Sequence, residues 1–483
     1  HKKSIDARDK KNVLYVYEIY VSLKNEDVVL KKNKDLIFVE DTPYVFPTSD
    51  VKMDSRPIIV GSGPSGLFCS YMLAEAGYNP IILERGDSMD DRVKCVEKFF
   101  NDHILDPNSN IQFGEGGAGT FSDGKLNTLT KDAFRQKKVF EIFVENGAPL
   151  EIMYIHNPHI GTDILRDVIK NMRNKIISLG GEFHYRSCVT SLLLDSNKVV
   201  GVEVNHKDKI DSNCVVLAIG HSARDTFLML HELGISMKPK NFAVGVRVEH
   251  LRSMIDDWQY GKFAKKLGSA SYKLTYQTHA GRGVYSFCMC PGGFVVNASS
   301  EEGRLVVNGM SNYDRGEVNS NSAIVVSVTP SDFGDSLFSG MEFQRKLEEA
   351  AYREGKSLIP VQLYSDFCMN RVSSHYGEVY PNTKGDVSFG NLRNVLPEFI
   401  SSSIMEAMPE FGKKIHGFDR GDTLMLGVES RTSSPIMIVR DDTFMSNISG
   451  LYPCGEGAGY AGGITTASVD GIKVAEKIVE NIS

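Results

Sequence analysis

The sequence predicts an α/β protein in which a layered domain with a parallel sheet is interrupted by a mixed α+β domain. Two observations predict this fold. A strand, a glycine-rich turn and a helix follow one another at residues 56–86, and the same order returns at 448–478, near the other end of the 483-residue chain. Between them, from about 236 to 415, strand- and loop-favouring sequence prevails, with one helix expected near 341–354. Because strands that alternate with helices favour parallel sheets, we expect the two remote segments to share one sheet.

The chain divides into five predicted segments. Residues 1–50 are expected to form a small β-rich domain that is incomplete, since the sequence starts with His rather than Met and we expect N-terminal residues to be absent or replaced. Residues 51–130, 131–235 and 416–483 are expected to be three parts of the layered domain. Residues 236–415 are expected to form the inserted substrate or cap domain.

Local patterns justify the elements in chain order. The stretches 13–23 and 35–40 favour strands, and a Pro-containing link at 42–56 leads to the first glycine turn. Residues 162–179 carry an apolar stripe at helical spacing, which Gly180 and Gly181 end. A hairpin follows near Asp195 to Lys198, and a buried strand near 214–220.

Composition and charge exclude several function classes. The chain is 41% hydrophobic and 24% charged, with 54 basic and 61 acidic residues, a net charge of -7. This balance disfavours nucleic acid as a partner. No apolar run approaches the length of a membrane span. We therefore expect a cytoplasmic protein that acts on a small molecule. The sequence leaves the oligomeric state open. The eight cysteines form no CxxC pair, and no metal site is expected.

The first glycine motif, GSGPSG, predicts a dinucleotide site. Gly61 permits a tight turn, Gly63 lets the backbone approach a pyrophosphate, and Gly66 lets the helix pack closely on the strand. Ser62, Pro64 and Ser65 complete the turn, whose helix N-terminus offers free N–H groups to phosphate. Glu84 ends the next strand, where an acid accepts hydrogen bonds from the adenosine ribose.

The end of the chain favours FAD over NAD as the bound cofactor. The segment 448–478 has a strand, an acidic turn, a glycine loop and an amphipathic helix. Glu456 is placed to hold the ribityl chain, and the helix that starts near Ile464 would direct its N-terminus at the flavin ring. The cofactor-binding residues predicted in this turn are Gly455, Glu456, Gly462, Gly463 and Ile464.

Two further segments fit the same cofactor. The run 215–222 ends a strand at Gly220, and the loop 113–128 is rich in glycine and suited to wrapping phosphate or flavin with backbone N–H groups. The additional residues predicted to bind FAD are Arg85, Arg92, Gly116, Gly117, Ala118, Gly119, Thr120, Val189 and Gly220. Since no second GxGxxG unit of comparable quality occurs, NAD(P)H is expected to bind at most transiently, as a reductant.

Together these motifs resemble one family. GSGPSGLFCSYMLAEAG, SNIQFGEGGAGTFSDGKLNT, VVLAIGHSARDT, GVYSFCMCPGGFVV, GVESRTSSP and GLYPCGEGAGYAGG are similar to the bacterial uncharacterised FAD-dependent dehydrogenases, also labelled NAD(FAD)-utilizing dehydrogenases. The resemblance covers almost the whole chain. It implies a Rossmann-like FAD-binding domain of the three-layer ββα type, as in the second type of glutathione-reductase-like flavoproteins, with geranylgeranyl reductases among the relatives. It names no substrate.

Candidate catalytic groups lie mainly in the inserted domain. Cys288 and Cys290 are two apart on a predicted strand and should share one face, with Cα atoms ~6.6 Å apart. One thiol facing the flavin or substrate and two thiols packed beneath a sheet are both open readings. Arg247 and Arg431 could clamp a carboxylate substrate or form structural ion pairs.

Histidines and loop charges supply weaker candidates. His250 and His221 could donate protons, although a lone histidine is more often structural. Asp123 and Lys125 could line the flavin loop or be solvated.

The leading prediction is an FAD-dependent oxidoreductase that moves hydride or electrons between a donor such as NAD(P)H and an organic substrate. A flavin-dependent monooxygenase is the alternative within enzymes. A non-catalytic flavin redox sensor or electron relay is the alternative of another class.

Overall fold

The computed structural model describes residues 2–40, 43–49, 51, 53–127 and 130–482. Thr42, which begins the predicted link, and Thr128, which ends the predicted loop, lie outside these ranges, as does His1.

The described residues contain strands throughout the chain. In chain order they are β1 (Lys2–Asp6), β2 (Leu14–Glu18), β3 (Ile58–Val60), β4 (Ile81–Leu83), β5 (Glu182–His184), β6 (Val189–Asp195), β7 (Lys198–Val204), β8 (Asp208–Asp211), β9 (Val215–Leu217), β10 (Met237–Pro239), β11 (Phe242–Leu251), β12 (Thr275–Gln277), β13 (Gly283–Cys290), β14 (Phe294–Asn297), β15 (Val307–Met310), β16 (Asn319–Val328), β17 (Ile359–Leu363), β18 (Thr383–Lys384), β19 (Val387–Phe389), β20 (Leu424–Glu429), β21 (Ile436–Ile438) and β22 (Leu451–Pro453).

The α-helices of the described residues alternate with these strands. They are α1 (Glu26–Lys32), α2 (Pro64–Glu75), α3 (Met89–Asp102), α4 (Ala133–Glu145), α5 (Thr162–Ser178), α6 (Arg224–Glu232), α7 (Arg252–Tyr260), α8 (Ala264–Leu267), α9 (Pro330–Phe333), α10 (Ser339–Glu354), α11 (Tyr364–Cys368), α12 (Glu398–Lys414) and α13 (Ile464–Asn481). No helix among the described residues has both the length and the apolar content to cross a membrane.

The predicted parallel sheet is present and joins the two ends of the chain. Its strand order is β22-β9-β3-β4-β5, and every neighbouring pair is parallel. Helices α2, α5 and α13 cover one face through an apolar core that includes Leu67, Met172 and Ile472. Leu179, the last residue of the apolar stripe predicted on 162–179, is half-buried and caps α5. The other residues of the stripe are buried in α5; they are Leu165, Val168, Ile169, Met172 and Ile176.

A second, smaller sheet covers the opposite face of the parallel sheet. Strands β6, β7 and β8 form an antiparallel meander, with the predicted hairpin turn between Asp195 and Lys198. Its apolar side chains Val189, Leu192 and Val202 share a core with Ile58 and Leu217 of the parallel sheet. The meander, the parallel sheet and the helices are the three layers that the sequence predicts, so the Rossmann-like fold class is confirmed.

The inserted region forms a seven-stranded sheet of order β12-β13-β16-β11-β20-β17-β19, in which β11 pairs antiparallel with β16 over ten residues. Helices α10 and α12 pack against its core; α10 matches the helix expected near 341–354. Strand β20 lies in this sheet although it follows residue 416, where we expect the last part of the layered domain to begin. The limit at 416 thus does not coincide with the edge of the sheet, and the five domain limits stay predictions.

One of the two strands predicted in the N-terminal region, the one at 35–40, does not form. Strands β1 and β2 form a two-stranded hairpin, but residues 36–40 form no strand. Ile37 is 83% exposed and lies against no sheet. A β-favouring sequence stays irregular here because a strand needs a partner to satisfy its backbone groups.

Candidate functional site

One elongated cleft runs along the carboxyl ends of the parallel strands, between the layered domain and the seven-stranded sheet. It has an empty volume of about 1510 Å³, counting the part that is open to solvent. Both predicted glycine turns reach it, since Gly63 at the start of α2 and Gly463 at the start of α13 both line its wall. Clefts at this edge of a parallel sheet are where dinucleotides bind.

The three glycines of the first motif have different reasons to be glycine. Gly61 has a φ of +101°, and a Cβ there would overlap the Ala218 carbonyl oxygen. A Cβ on Gly66 would overlap the Gly61 carbonyl oxygen, so helix and turn touch through this residue. Gly63 differs, because a Cβ there would meet only Gly117 Cα at 3.8 Å. The protein itself would accept a side chain at Gly63, and that position faces the cleft.

Glu84 holds the glycine-rich segments together. Its Oε2 accepts hydrogen bonds from the Ser62 N–H (2.9 Å) and hydroxyl (2.8 Å), and its Oε1 accepts from the N–H groups of Gly86 (2.9 Å) and Gly114 (3.0 Å). The carboxylate lines the cleft, as predicted for a ribose ligand. Each oxygen already accepts two hydrogen bonds, so a ribose hydroxyl would most easily replace the Ser62 hydroxyl, the one donor that can rotate away.

Arg92 supports the glycine loop from behind and does not line the cleft. Its buried guanidinium donates to the carbonyl oxygens of Asn110 (2.9 Å), Ile111 (2.9 Å), Glu115 (2.6 Å) and Gly117 (3.0 Å). Burial lowers the pKa of Arg92 to about 10, against the opposing effect of nearby acids. Predicted as a cofactor-binding residue, Arg92 instead fixes the shape of the loop that lines the cleft.

At the C-terminal turn, Glu456 and His221 face each other across the cleft wall, with Glu456 Oε1 3.2 Å from His221 Nδ1. The other ring nitrogen of His221, Nε2, is buried and has no hydrogen-bond partner. Gly455 lies behind this pair; its N–H donates to Asp470 at 2.7 Å, and Asp470 is ion-paired with Arg440 at 2.6 Å. This arrangement fixes the turn that presents Glu456.

Most residues predicted to bind the cofactor meet in this cleft. Those that line it are Gly61, Gly63, Pro64, Ser65, Glu84, Arg85, Gly117, Ala118, Gly119, Val189, Gly220, Glu456, Gly462, Gly463 and Ile464. Those that do not line it are Ser62, Gly66, Arg92, Gly116, Thr120 and Gly455. The second group lies outside the cleft wall; at Gly116, for example, an added Cβ would overlap the Thr120 hydroxyl.

The two cysteines of β13 are not equivalent. Cys288 lines the cleft, whereas Cys290 is fully buried. A bulge lies between Phe287, which pairs with Ala323, and Cys290, which pairs with Asn321, and Cys288 has a φ of +43°. The predicted regular strand, with both thiols on one face, is therefore wrong at this point, because the bulge inserts one extra residue and breaks the alternation.

Arg247 lies beneath the cleft floor and does not line it. Its fully buried guanidinium pairs with Glu429 at 3.0 Å and donates to Asn321 (2.8 Å) and to the Cys288 carbonyl oxygen (3.0 Å). Although burial opposes it, the Glu429 carboxylate keeps the pKa of Arg247 above its usual value. The guanidinium is committed to the protein and is not free to clamp a substrate carboxylate.

Arg431 lines the cleft but is also engaged by the protein. Its Nη2 pairs with Glu348 at 2.8 Å, and its Nη1 donates to Ser300 (2.6 Å) and Ser222 (3.1 Å). Of the two alternatives for Arg431, the structural ion pair is the one present here.

His250 does not line the cleft. It is fully buried, its Nε2 lies 2.7 Å from the Phe418 carbonyl oxygen, and burial lowers its pKa to about 4. Because its ring is enclosed by the protein and its Nε2–H is donated to a backbone carbonyl oxygen, His250 does not face a substrate in the cleft. The structure therefore contradicts the prediction of a proton donor at this position.

Lys125 and Asp123 do line the cleft, next to Cys288. Asp123 is ion-paired with Arg315 at 2.5 Å, and the Lys125 ammonium lies 3.6 Å from Asp123. Although burial opposes it, these positive charges lower the pKa of Asp123. The Lys125 ammonium is buried and makes no hydrogen bond. An unsatisfied buried cation is suited to face an anion in the cleft.

Sequence reasoning missed several cleft residues. They are Gln112, Ser187, Cys188, Thr226, Asn308, Glu429 and Thr432. Gln112 directly precedes the predicted loop 113–128, and Cys188 directly precedes Val189, so proximity to those predictions could have indicated them. Asn308 and Glu429 come from β15 and β20, and only the pairing of distant strands brings them here.

The residues that line the cleft fit FAD. The space in front of three glycines of the cleft is open, because a Cβ on Gly63, Gly220 or Gly463 would not clash with the protein. At Gly220 and Gly463 the positive φ also favours glycine. Two helix N-termini supply N–H groups for phosphate and ring oxygens. A buried ammonium, an unpartnered imidazole nitrogen and the Glu456 carboxylate complete a donor and acceptor set for a long polar ligand.

Comparisons with known proteins agree with this assignment. Residues 241–432 match a family model described as "FAD-dependent protein, C-terminal domain-like". An uncharacterized protein of Clostridium beijerinckii is 47% identical over 99% of this chain and 91% of its own length.

Solved structures give weaker likenesses. L-proline dehydrogenase from P. horikoshii has a TM-score of 0.37 at 14% identity, covering 89% of this chain and 95% of that one. A mutant of the halogenase PltM in complex with FAD has a TM-score of 0.43 at 10% identity, covering 88% and 70%. Glycine oxidase from Bacillus cereus has 0.37 at 12% identity, covering 89% and 95%. Likenesses of this degree do not bear on the reaction of this chain.

Proposed function

Because the chain belongs to the family of its 47% identical Clostridium beijerinckii relative and contains a domain of FAD-dependent proteins, we propose that it is an FAD-dependent oxidoreductase of the NAD(FAD)-utilizing dehydrogenase kind. It moves hydride or electrons between a donor such as NAD(P)H and an organic substrate. One observation carries this proposal: the starts of α2 and α13 line one cleft, with an open glycine at each.

When bound, FAD supplies two-electron transfer at its isoalloxazine ring. The protein's part is to bind and orient it. The N–H groups at the start of α2, beside Gly63, would hold the pyrophosphate, and Glu84 would hold the adenosine ribose. Arg85, which lies over the Phe113 ring at 4.5 Å and is ion-paired with Asp225 at 2.9 Å, bounds the adenosine end.

At the other end, three features orient the ring. Glu456, which is paired with His221, would accept hydrogen bonds from the ribityl hydroxyls. The N-terminus of α13 and the Lys125 ammonium favour negative charge at the pyrimidine edge of the ring. The substrate would enter on the side of the inserted region, where Cys288 and Asn308 line the cleft.

Uptake of FAD by the purified full-length protein tests this proposal. We expect one FAD per chain by absorbance after adding FAD to flavin-depleted protein, and anaerobic bleaching by NADH or NADPH. A protein that takes up no FAD contradicts the proposal.

Lys125 gives a sharper test of the ring's position. Lys125→Met should lower the midpoint potential of the bound flavin, because the reduced form loses a nearby positive charge, and spectroelectrochemistry measures it. Lys131→Met is the control, because Lys131 is an exposed lysine six residues further along the chain, and this variant should leave the potential unchanged. Equal potentials in wild type and Lys125→Met would place the ring elsewhere.

A further inference from the structure

The two cysteines of β13 meet at the cleft in a way that the oxidoreductase activity alone does not require. We infer that Cys288 and Cys290 form a reversible dithiol–disulfide pair that exchanges two electrons with the flavin. This inference rests on the proposed function for the presence of flavin, but the chemistry of the pair belongs to the chain itself.

The geometry brings the two cysteines together at the cleft wall. The Cys290 thiol lies 3.4 Å from the Cys288 carbonyl oxygen, so the Cys290 sulfur lies beside Cys288. The bulge and the positive φ of Cys288 give this contact, which a regular strand would not favour. Cys288 lines the cleft beside Phe287 and Lys125. One sulfur is therefore open to the ligand, and the second is stored directly behind it.

The two thiols have the division of roles that exchange requires. The hydrogen bond from Cys290 lowers the pKa of Cys288 well below the usual thiol value; burial opposes this, and Arg247 and Lys125 assist it. The pKa of Cys290 is raised by the same hydrogen bond and by burial. The acids Asp123 and Glu429 also face Cys288 and oppose its ionisation. A thiolate beside a protonated resolving thiol is the arrangement of dithiol redox centres.

Neither Cys188 nor Cys368 offers such an arrangement. Cys188 also lines the cleft, but burial raises its pKa, and its thiol lies near a backbone carbonyl oxygen, at 3.9 Å, rather than near another cysteine. Cys368 is exposed on α11.

The exchange balances in atoms and electrons. The pair starts as the Cys288 thiolate and the Cys290 thiol. As the bond between the two sulfurs forms, the S–H bond of Cys290 breaks, and the pair gives up two electrons and one proton. The oxidised isoalloxazine is the acceptor of the two electrons and the proton. In the reverse direction, the disulfide accepts two electrons and one proton from the reduced flavin, and the sulfur–sulfur bond breaks to restore the thiolate and the thiol.

The first experiment uses full-length protein freed of flavin. It is equilibrated anaerobically with oxidised and reduced dithiothreitol at several ratios, quenched in acid, alkylated and digested. We expect the peptide that contains both cysteines to appear unalkylated and lighter by two hydrogen atoms at oxidising ratios. This species should be absent in Cys290→Ala and Cys290→Ser and unchanged in Cys368→Ser. Full alkylation of both cysteines at every ratio would overturn the inference.

A pH profile separates a redox pair from two packed thiols. In wild type, Cys288 should be alkylated at pH values below the usual thiol range. Cys290→Ala removes the hydrogen-bond donor and should shift the profile to higher pH, whereas Cys290→Ser keeps a donor and should shift it less. Identical profiles in all three proteins would count against the pair.

The second experiment tests the exchange with flavin, after FAD uptake by the wild type has been measured. Reduced protein is mixed anaerobically with FAD, and thiols and flavin absorbance are measured together. We expect two thiols lost for each flavin reduced in wild type, and none in Cys290→Ala. Disulfide formation without any change in bound flavin would overturn the exchange. Absence of FAD uptake would instead contradict the proposed function, and the first experiment would still decide whether the cysteines pair.

Discussion

At the scale of single residues, the glycines show which positions serve the fold and which serve a ligand. Gly61 and Gly66 are required by the protein, because a side chain at either would overlap backbone atoms. Gly63 is not required by the protein, since its nearest neighbour would lie 3.8 Å from a Cβ. The same motif therefore contains two kinds of glycine, and only the structure distinguishes them.

Gly63→Val should abolish FAD binding while the protein still folds, because the side chain would occupy the space of the pyrophosphate. Flavin absorbance and circular dichroism of the purified variant measure the two effects. Gly66→Ala is the contrasting variant and should destabilise the fold by roughly 1–3 kcal/mol through overpacking. Full flavin occupancy in Gly63→Val would refute the placement of the pyrophosphate.

Glu249 makes stability depend on pH. It is fully buried in β11, and burial raises its pKa to about 7, although Asn319 and the N–H of Asn382 donate to it. Its folded pKa is above the unfolded value, so stability is greatest below the unfolded pKa and falls as pH rises towards 7. Glu249→Gln should remove this dependence, a difference on the order of 3 kcal/mol. Urea unfolding at pH 4.5 and pH 8 measures it; parallel pH dependence in both proteins would contradict the assignment.

At the scale of elements, the cleft depends on loops that are held by buried charged side chains. The loop 110–119 has positive φ at Gly114, Gly116 and Gly117. Arg92 of α3 helps to hold this path by donating to the carbonyl oxygens of Asn110, Ile111, Glu115 and Gly117. A helix thus positions a loop that the sequence alone presents as a simple glycine run.

Arg92→Lys should weaken FAD binding by roughly tenfold or more, because an ammonium cannot reach the same set of carbonyl oxygens and each lost buried hydrogen bond costs ~1–3 kcal/mol. Fluorescence titration of the flavin-depleted protein measures the affinity. The control is Arg166→Lys, since the Arg166 guanidinium lies over the same Phe121 ring, at 4.7 Å, but has an unpartnered Nε. Equal affinities in the two variants would contradict the role of Arg92.

At the scale of the whole molecule, a buried ion network joins the layered domain to the inserted one. Glu348 of α10 is fully buried and pairs with Arg224 of α6 and with Arg431, each at 2.8 Å. Although burial opposes it, these two guanidinium groups hold the pKa of Glu348 below its usual value. Since Arg431 also lines the cleft, the network couples the shape of the site to the contact between the domains.

Glu348→Gln should lower the free energy of unfolding by about 3–5 kcal/mol, because it removes the fully buried anion that Arg224 and Arg431 share and leaves them only Glu301, which is partly exposed. Glu349→Gln is a matched control on the next residue, where the pair with Arg304 is partly exposed and should contribute at most ~1 kcal/mol. Chemical denaturation of both variants measures the difference. A loss of equal size in both would mean that the network does not hold the domains together.

The sequence alone determined the three-layer fold, the two helix starts and most residues of the cleft wall. These features are local: a strand, a positive-φ glycine such as Gly61 and a helix start are encoded within a few consecutive residues. The tertiary structure alone decided that Arg247 and His250 are buried away from the cleft, that Arg431 is bound by Glu348, and that a bulge brings Cys288 to the surface of the cleft. Burial and ion pairing depend on partners far apart in the chain, so no local pattern could have predicted them.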